Sequence, residues 1–234
     1  METGCGVTCI IPFYNEGERI FSVLESVTSL GVFDQIICVD DGSEDDTLAR
    51  IRQRWPRMTV IRMPENQGKT AAIKRGLQSV ESAYVMLMDA DLRNVDSKEL
   101  GQIVRSVHQC PDVDMIILRR LHAEWFVKMN RADILLSGER ILRTDDLRVI
   151  LEKPVDGFQL EIAINEFMWR NQKTVCWVPW SATNTYKMDK RGAVDGFFKD
   201  FAMYADILQY IGILKFFRQV AGFARKPLLM GTRI

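Results

Sequence analysis

The stretch Val85-Met86-Leu87-Met88-Asp89-Ala90-Asp91 joins an apolar run to two carboxylates that are one residue apart. Such a run is typical of a buried strand in a parallel sheet, and ligands of these sheets lie beyond the carboxyl ends of the strands. Two carboxylates at that point can share one divalent cation, whose shell is normally completed by substrate phosphates and water. A solvated acidic turn is the alternative interpretation, and the upstream sequence decides between them.

Three upstream segments repeat this pattern of an apolar run followed by polar side chains. They are Val7-Thr8-Cys9-Ile10-Ile11-Pro12-Phe13-Tyr14-Asn15-Glu16, Ile36-Ile37-Cys38-Val39-Asp40-Asp41-Gly42-Ser43 and Val60-Ile61-Arg62-Met63-Pro64-Glu65-Asn66-Gln67-Gly68-Lys69. Each precedes a stretch with helical spacing, so the connections have the length of strand–helix–strand units. We therefore predict an α/β fold with a mostly parallel sheet flanked by helices, in which four strand ends lie along one edge.

The rest of the chain predicts further elements of the same kind. Residues 97–109 have the periodicity of a helix with Ser97 as its N-cap, and Met115-Ile116-Ile117-Leu118 has the composition of a fifth strand. A helix is predicted to open at Asp156-Gly157-Phe158-Gln159-Leu160-Glu161, followed by a strand over residues 174–179.

Together these segments resemble family-2 glycosyltransferases with the GT-A fold. The motifs that carry the resemblance are Pro12-Phe13-Tyr14-Asn15-Glu16, Val39-Asp40-Asp41-Gly42-Ser43, Asn66-Gln67-Gly68-Lys69 and Asp89-Ala90-Asp91. Their order and spacing are specific, although each motif alone is weak. The resemblance implies a nucleotide-sugar donor, Mg²⁺ or Mn²⁺ as cofactor, and transfer with inversion at the sugar carbon.

The implied nucleotide-sugar site consists of residues from these four motifs. Asp91 is the first choice as metal ligand, and Asp89 would contact the metal, the ribose or both. Lys69 would approach the diphosphate, and Tyr14 would stack on the base. The expected site comprises Pro12, Tyr14, Glu16, Asp40, Asp41, Gly68, Lys69, Asp89, Ala90 and Asp91, in which Asp40 or Asp41 would accept hydrogen bonds from the base or ribose.

The acceptor site is expected in the basic, apolar region after residue 118. Ser137-Gly138-Glu139-Arg140 resembles the Ser-Gly-Phe-Arg segment of polyprenyl-phosphate sugar transferases such as dolichol-phosphate mannose synthases, with Glu139 in place of phenylalanine. A lipid phosphate is already anionic and needs only cations to position it. The predicted acceptor-phosphate residues are Arg119, Arg131, Ser137, Arg140 and Lys187.

Two other functions remain open at this point. A hydroxyl acceptor on a glycan or small molecule would require a general base, for which Glu161 and Asp156 are the candidates. An inactive scaffold that uses the fold to bind a partner is the third alternative, and the intact Lys69, Asp89 and Asp91 argue against it. The Gln-x-x-Arg-Trp signature of processive polysaccharide synthases is absent from the C-terminal half, which favours a single transfer.

Composition sets the cellular expectations. Thirty-one basic and 31 acidic residues leave no net charge, so the overall charge of the chain does not favour binding to nucleic acid. Five cysteines form an odd count without metal-ligand spacing, which is typical of a reducing compartment. The first residues lack the layout of a signal peptide. We expect a cytoplasmic protein, peripheral on the cytosolic membrane face or bound to a membrane-protein partner.

The expected organisation is a transferase domain over residues 1–192, with a donor-binding half (1–120) and an acceptor half (121–192), and a C-terminal amphipathic helical segment (193–234). The most apolar tract, Ile207 to Leu214, is far shorter than the roughly 20 residues needed to span a bilayer. Residues 197–224 combine aromatic and aliphatic side chains with lysine and arginine. They are predicted either to lie in a membrane interface or to pack on the sheet or a partner chain.

Overall fold

A computed structural model describes residues 6–121, 131–155, 159–184 and 209–228. The strands are β1 (Val7–Phe13), β2 (Gln35–Asp40), β3 (Thr59–Arg62), β4 (Tyr84–Leu87), β5 (Leu92–Arg93), β6 (Met115–Arg120), β7 (Arg140–Arg143), β8 (Val175–Trp180), β9 (Thr183–Asn184) and β10 (Lys226–Pro227). The helices are α1 (Arg19–Thr28), α2 (Thr47–Arg54), α3 (Lys69–Leu77), α4 (Ser97–Gln109), α5 (Ala132–Leu135), α6 (Thr144–Ile150), α7 (Gln159–Arg170) and α8 (Ile213–Gly222).

Eight strands form one mixed sheet in the order β10-β8-β6-β7-β4-β1-β2-β3. The four strands β3, β2, β1 and β4 are parallel neighbours, so their carboxyl ends lie along one edge, as the sequence predicts. Strand β7 runs antiparallel between β4 and β6, while β6, β8 and β10 are parallel to one another. The predicted α/β class and mostly parallel sheet are therefore confirmed, and β7 is an element that the sequence analysis did not identify.

Helices cover both faces of the sheet, and alternate residues of β1 pack against different helices. Val7, Cys9 and Ile11 belong to the apolar cluster that includes α1 and α4, while Ile10 belongs to the cluster that includes α3 and α7. All seven residues of β1 are buried, which explains why the strand is a continuous apolar run rather than an alternating one. The two-sided core holds the strand ends in fixed positions.

Helix α4 has the predicted bounds but a different N-cap. The Asp96 carboxylate accepts hydrogen bonds from the backbone N–H of Lys98 at 2.7 Å and of Glu99 at 3.1 Å. Ser97, predicted as the cap, is the first helical residue, and its hydroxyl lies 3.4 Å from the Ser26 carbonyl oxygen. Asp96 prevails because an ionised carboxylate at the helix start satisfies two free N–H groups and interacts with the helix dipole.

Part of the predicted acceptor region lies outside the described residues. Asp156 and Lys187 fall there, as does most of the 193–234 segment, of which α8 and β10 are described. Within the ranges given above, no helix is long and apolar enough to cross a bilayer.

Asp114 joins three strands of the sheet and supplies a stability prediction. Its carboxylate accepts a hydrogen bond from Thr174 N–H at 2.9 Å, and its Oδ1 lies 3.0 Å from Arg143 Nε and 3.4 Å from Lys173 Nζ. Burial raises the pKa of Asp114, but the Thr174 hydrogen bond and the two cations outweigh it, so the pKa lies below its ordinary value.

We expect Asp114→Asn to lower the free energy of unfolding by about 1–3 kcal/mol at neutral pH, because a charge-assisted network is lost. A carboxyl whose pKa is lower in the folded state stabilises the fold above its unfolded pKa of about 4, and this contribution is lost as the pH falls. Urea titrations of both proteins should therefore converge in acid. The exposed neighbour change Asp112→Asn is the control. A stability difference between the wild type and the Asp114→Asn variant that is independent of pH would contradict the interpretation.

Candidate active site

A cavity of about 440 Å³ opens at the carboxyl ends of β1 and β4. Most of the residues that the sequence assigned to donor binding and catalysis line it together: Pro12, Tyr14, Glu16, Asp41, Lys69, Asp89, Ala90, Asp91 and Glu161. Four further lining residues were not assigned to a site from the sequence, namely Phe13, Arg120, Leu136 and Gly138. The cavity therefore unites the donor motifs with residues from the region assigned to the acceptor.

The loop after β1 is fixed to the loop after β2. Asn15, whose φ of 51° is left-handed, receives at its side-chain oxygen a hydrogen bond from Glu44 N–H, and its own N–H donates to the Ser43 hydroxyl at 3.0 Å. Gly17 N–H donates to the Thr47 hydroxyl at 2.9 Å. These bonds hold Tyr14, which is 38% exposed, at the rim of the cavity.

Asp41 holds the loop that leads into α3. Its two carboxylate oxygens accept hydrogen bonds from Gln67 N–H at 2.9 Å and from Gly68 N–H at 2.8 Å. Gly42 has a φ of 76°, and a Cβ there would lie 2.6 Å from the Glu65 carbonyl carbon, so only glycine allows these loops to approach so closely. The motif around Asp41 thus positions the start of α3, and with it Lys69.

Asp40 occupies a different environment from the one predicted. Its side chain is fully buried, its Oδ1 accepts a hydrogen bond from Ser43 N–H at 2.8 Å, and it does not line the cavity. Burial argues against direct contact between Asp40 and a base or ribose. A contact from Asp41, whose oxygens keep further lone pairs beside the cavity, stays a prediction.

Lys69 bridges two carboxylates across the cavity. Its Nζ lies 2.6 Å from Asp89 Oδ1 and 3.5 Å from Glu161 Oε1. Burial lowers the pKa of Lys69, but the charges of Asp89 and Glu161 outweigh it, so the pKa lies above its ordinary value. Gly138 lies so close that a Cβ would be 2.7 Å from the ammonium nitrogen. Lys69 is thus a fixed positive charge with a glycine beside it.

The donor set fits a hard divalent cation. Asp89 and Asp91 both line the cavity. Burial raises the pKa of Asp89, but Lys69, Arg120 and Glu139 together outweigh it, so the pKa lies below its ordinary value. Among the described residues no three acidic, His or Cys side chains are grouped as a metal site. Mg²⁺ or Mn²⁺ held by these two carboxylates would take its remaining oxygen ligands from substrate phosphates and water.

Glu139, which stands where the related segment has phenylalanine, lies fully buried beneath Asp89. Burial and the Asp89 charge raise the pKa of Glu139 to about 7. Arg120 Nε lies 3.9 Å from Glu139 Oε2, and the Arg120 side chain is 28% exposed and lines the cavity. Arg120 is therefore a second cation facing the cavity, held from behind by a buried carboxyl group.

Two predicted acceptor residues have internal roles instead. Arg140 is fully buried and donates hydrogen bonds to Ser137 O at 3.0 Å, Glu161 O at 3.3 Å and Asn165 Oδ1 at 3.1 Å. Burial lowers its pKa to about 10. The buried Ser137 hydroxyl donates to Leu118 O at 2.8 Å. These contacts argue against the direct acceptor-phosphate role predicted for both residues; Arg140 instead holds α7, and so Glu161, in place.

Arg119 and Arg131 lie outside the cavity. Arg119 Nε is 2.5 Å from Asp133 Oδ2, and its guanidinium stacks over the Trp177 ring at 4.8 Å. Arg131 donates to Val220 O and Ala224 O at the end of α8. Successive residues of β6 point to opposite faces, so Arg120 rather than Arg119 reaches the cavity. The acceptor roles of Arg119 and Arg131 stay predictions.

Known proteins resemble this chain in sequence. Residues 8–160 match the family model described as Glycosyl transferase family 2. The chain is 29% identical over 140 residues to undecaprenyl-phosphate 4-deoxy-4-formamido-L-arabinose transferase of Edwardsiella ictaluri, which covers 56% of this chain and 42% of that protein. It is 27% identical over 119 residues to dodecaprenyl-phosphate galacturonate synthase of Rhizobium johnstonii, which covers 47% and 35%. The matches span less than half of the length of these relatives.

The fold also resembles that of solved structures. Glucosyl-3-phosphoglycerate synthase of Mycobacterium tuberculosis, in complex with Mn²⁺ and uridine-diphosphate-glucose, superimposes with a TM-score of 0.70 and 22% identity over 90% of this chain and 80% of that one. This similarity supports the GT-A fold. Since the family model spans well over half of the chain, the protein belongs to glycosyl transferase family 2, and its fold is the GT-A fold.

Proposed function

We propose that the protein is a metal-dependent, inverting glycosyltransferase that moves a sugar from a UDP- or GDP-linked donor to a polyprenyl or dolichyl phosphate. The observation that carries this proposal is the shared cavity in which Lys69, Asp89 and Asp91 meet Tyr14 and Arg120. The names of the curated relatives support the acceptor class, and the Mn²⁺ and uridine-diphosphate-glucose complex of the structural neighbour supports the donor class.

Donor binding is assigned to the part of the cavity formed by residues at or after the carboxyl ends of β1, β2 and β4. Tyr14 lies at the rim, where its ring can stack on a base, and the buried Asp41 lines the same cavity. The positively charged ammonium of Lys69 would move from Asp89 to the negatively charged diphosphate. A cation held by Asp89 and Asp91 would supply positive charge to the diphosphate leaving group. Pro12, Glu16 and Ala90 complete the walls.

Acceptor binding is assigned to the cavity residues from β6 and from the segment after α5. Arg120 presents a guanidinium to the cavity, and Leu136 supplies an apolar surface in the same cavity. A phosphate oxygen is ionised at neutral pH, so it can attack the sugar carbon without a general base. Arg120 thus takes the place of Ser137 and Arg140 as the described residue best placed to position an acceptor phosphate.

A hydroxyl acceptor is the second candidate function, and one observation favours it. Glu161 lines the cavity, and its Oε2 is buried without a hydrogen-bond partner in the described structure. A carboxylate in this position is a reasonable general base for an alcohol. An inactive binding scaffold would require neither the paired carboxylates nor the fixed lysine.

The acceptor proposal is tested by transfer from radiolabelled UDP- and GDP-sugars, with Mg²⁺ or Mn²⁺, to a polyprenyl phosphate and to the matched polyprenol. We expect product with the phosphate and none with the alcohol. The Arg120→Gln variant lacks the positive charge that would position the acceptor phosphate. It should raise the acceptor KM about tenfold, which is equivalent to about 1.4 kcal/mol, and leave donor hydrolysis unchanged.

Exposed Arg52 on α2 provides the matched control Arg52→Gln, which should behave as wild type. Transfer to the polyprenol or to a soluble alcohol, abolished by Glu161→Gln while donor binding persists, would replace the lipid-phosphate proposal by the hydroxyl one.

A further inference from the structure

Helix α8 exposes an apolar stripe. Ile213 is 60% exposed, Leu214 87% and Phe217 62%, and Tyr210 precedes them at 39%. The spacing of Ile213, Leu214 and Phe217 places them on one side of α8, while Gln219 on the helix and Phe223 just after it are buried. Most of the large apolar side chains exposed in the described parts of the chain lie in this short segment. Contiguous exposed apolar surface of this kind marks an interaction site.

The charged side chains of the segment that contains the stripe are all positive. Residues 209–228 include Lys215, Arg218, Arg225 and Lys226 and no acidic residue. Lys215 and Arg218 lie in the same turns as the apolar side chains and are exposed. Glu166 on α7 is an acidic residue near this segment. Its Oε1 lies 2.7 Å from Arg170 Nε and 3.9 Å from Lys215 Nζ, so it is already paired. An apolar stripe with positive flanks complements an anionic bilayer.

A small cavity adjoins the basic side of the stripe. It has a volume of about 170 Å³ between α7 and α8, and Trp169, Arg170, Lys215, Arg218 and Gln219 line it together with Glu166. Arg218 lies over the Trp169 ring at 5.2 Å. Gln219 is 2% exposed, yet neither its Oε1 nor its Nε2 has a hydrogen-bond partner among the described residues. A buried amide without partners is costly, and an anionic oxygen in this cavity would satisfy its N–H groups.

The chain that leads into α8 packs on a residue of the active-site cavity. Ile211 is buried against Ile162, with Leu136 and Phe216 packed beside them. Leu136 also lines the main cavity. The segment that leads into α8 is therefore anchored on Leu136, one of the residues assigned above to the acceptor side of the cavity.

We propose that the α8 surface, formed by Tyr210, Ile213, Leu214, Lys215, Phe217 and Arg218, docks on an anionic lipid bilayer. The apolar side chains enter the boundary between headgroups and acyl chains, and a headgroup phosphate occupies the cavity beside Gln219. The inference rests on the proposed function in that a lipid-linked acceptor requires access to a bilayer. Binding is nevertheless measurable without transfer.

The test is co-sedimentation of the full chain with vesicles of phosphatidylcholine alone or mixed with phosphatidylglycerol. We expect binding to the anionic vesicles that weakens with added salt, because basic residues act within a Debye length of the surface. Leu214→Ser combined with Phe217→Ser should lower the partition coefficient at least tenfold. Lys215→Gln combined with Arg218→Gln should lower it about thirtyfold for anionic vesicles only, and Gln219→Leu should reduce the preference for anionic vesicles.

Matched controls lie elsewhere on the surface. Val149→Ser changes another exposed apolar residue, and Arg52→Gln with Lys74→Gln removes two exposed charges from α2 and α3; both should bind as wild type. Equal binding by the Leu214/Phe217 variant, or no binding by the wild type, would overturn the inference. A wild-type dimer in vesicle-free buffer that is dissociated by the Leu214/Phe217 substitutions would also overturn the inference. Vesicle binding without transfer to any lipid phosphate would overturn the proposed acceptor alone, and transfer without vesicle binding would overturn the α8 surface alone.

Discussion

Asp91→Ala is expected to lower the rate of sugar transfer by about three orders of magnitude, while the fold survives. Asp91 follows β4 at the open end of the sheet and lines the cavity, so it is not part of the core. A divalent cation at the leaving diphosphate contributes several kcal/mol of transition-state stabilisation, and each 1.4 kcal/mol is tenfold in rate. Asp89→Ala should also impair transfer strongly, because it would remove both a proposed metal ligand and the partner of Lys69.

The measurement is the initial rate at saturating donor with varied Mn²⁺, together with thermal unfolding of each variant. Asp112→Ala removes an exposed carboxylate from the connection between α4 and β6, so it should keep wild-type activity. Near-normal transfer by Asp91→Ala at saturating donor would show that the metal assignment is wrong.

Lys69→Ala is expected to weaken binding of nucleoside diphosphates more than of nucleoside monophosphates, and to reduce transfer by about 10²–10³. The ammonium lies between Asp89 and Glu161 next to Gly138, which has no side chain to shield it from a diphosphate in the cavity. A nucleoside monophosphate lacks the distal phosphate that the ammonium would meet.

Calorimetric titration with both classes of nucleotide distinguishes the two effects. Lys74→Ala, an exposed lysine on the same helix, controls for loss of charge and for helix propensity. An equal loss of affinity for monophosphate and diphosphate would place Lys69 away from the diphosphate.

The donor half of the site was predictable because its residues are local to strand ends. Each motif directly follows an apolar run. The parallel order β3-β2-β1-β4 brings the ends of these runs to one edge of the sheet, so the strand pattern alone is enough to predict that they meet. The sequence does not distinguish between neighbouring residues that compete for one position, as with Ser97 and Asp96 at the start of α4, or with Asp40 and Asp41 after β2. In each pair the local environment decides which side chain caps the helix or lines the cavity.

The acceptor half was less predictable because it depends on pairing between distant strands. Strand β7 enters the sheet antiparallel between β4 and β6, which turns Arg140 into the interior and brings Glu139 beneath Asp89. Neither the basic composition of this region nor the Ser-Gly-Glu-Arg segment reveals that insertion. The choice of Arg120 over Arg119 likewise depends on which face of β6 is turned toward the cavity, and alternation fixes that choice only once the register is known.

The most direct test of the proposed active site is titration of the protein with UDP and GDP in the presence and absence of Mn²⁺. The arrangement of Lys69, Asp89 and Asp91 predicts that one of the two nucleotides binds once per chain and that removal of Mn²⁺ weakens it at least tenfold. Asp91→Ala should bind this nucleotide equally weakly with and without the metal. Metal-independent binding of the same strength in wild type and Asp91→Ala, or no binding of either nucleotide, would contradict the assignment of this cavity to a metal-bound nucleotide-sugar.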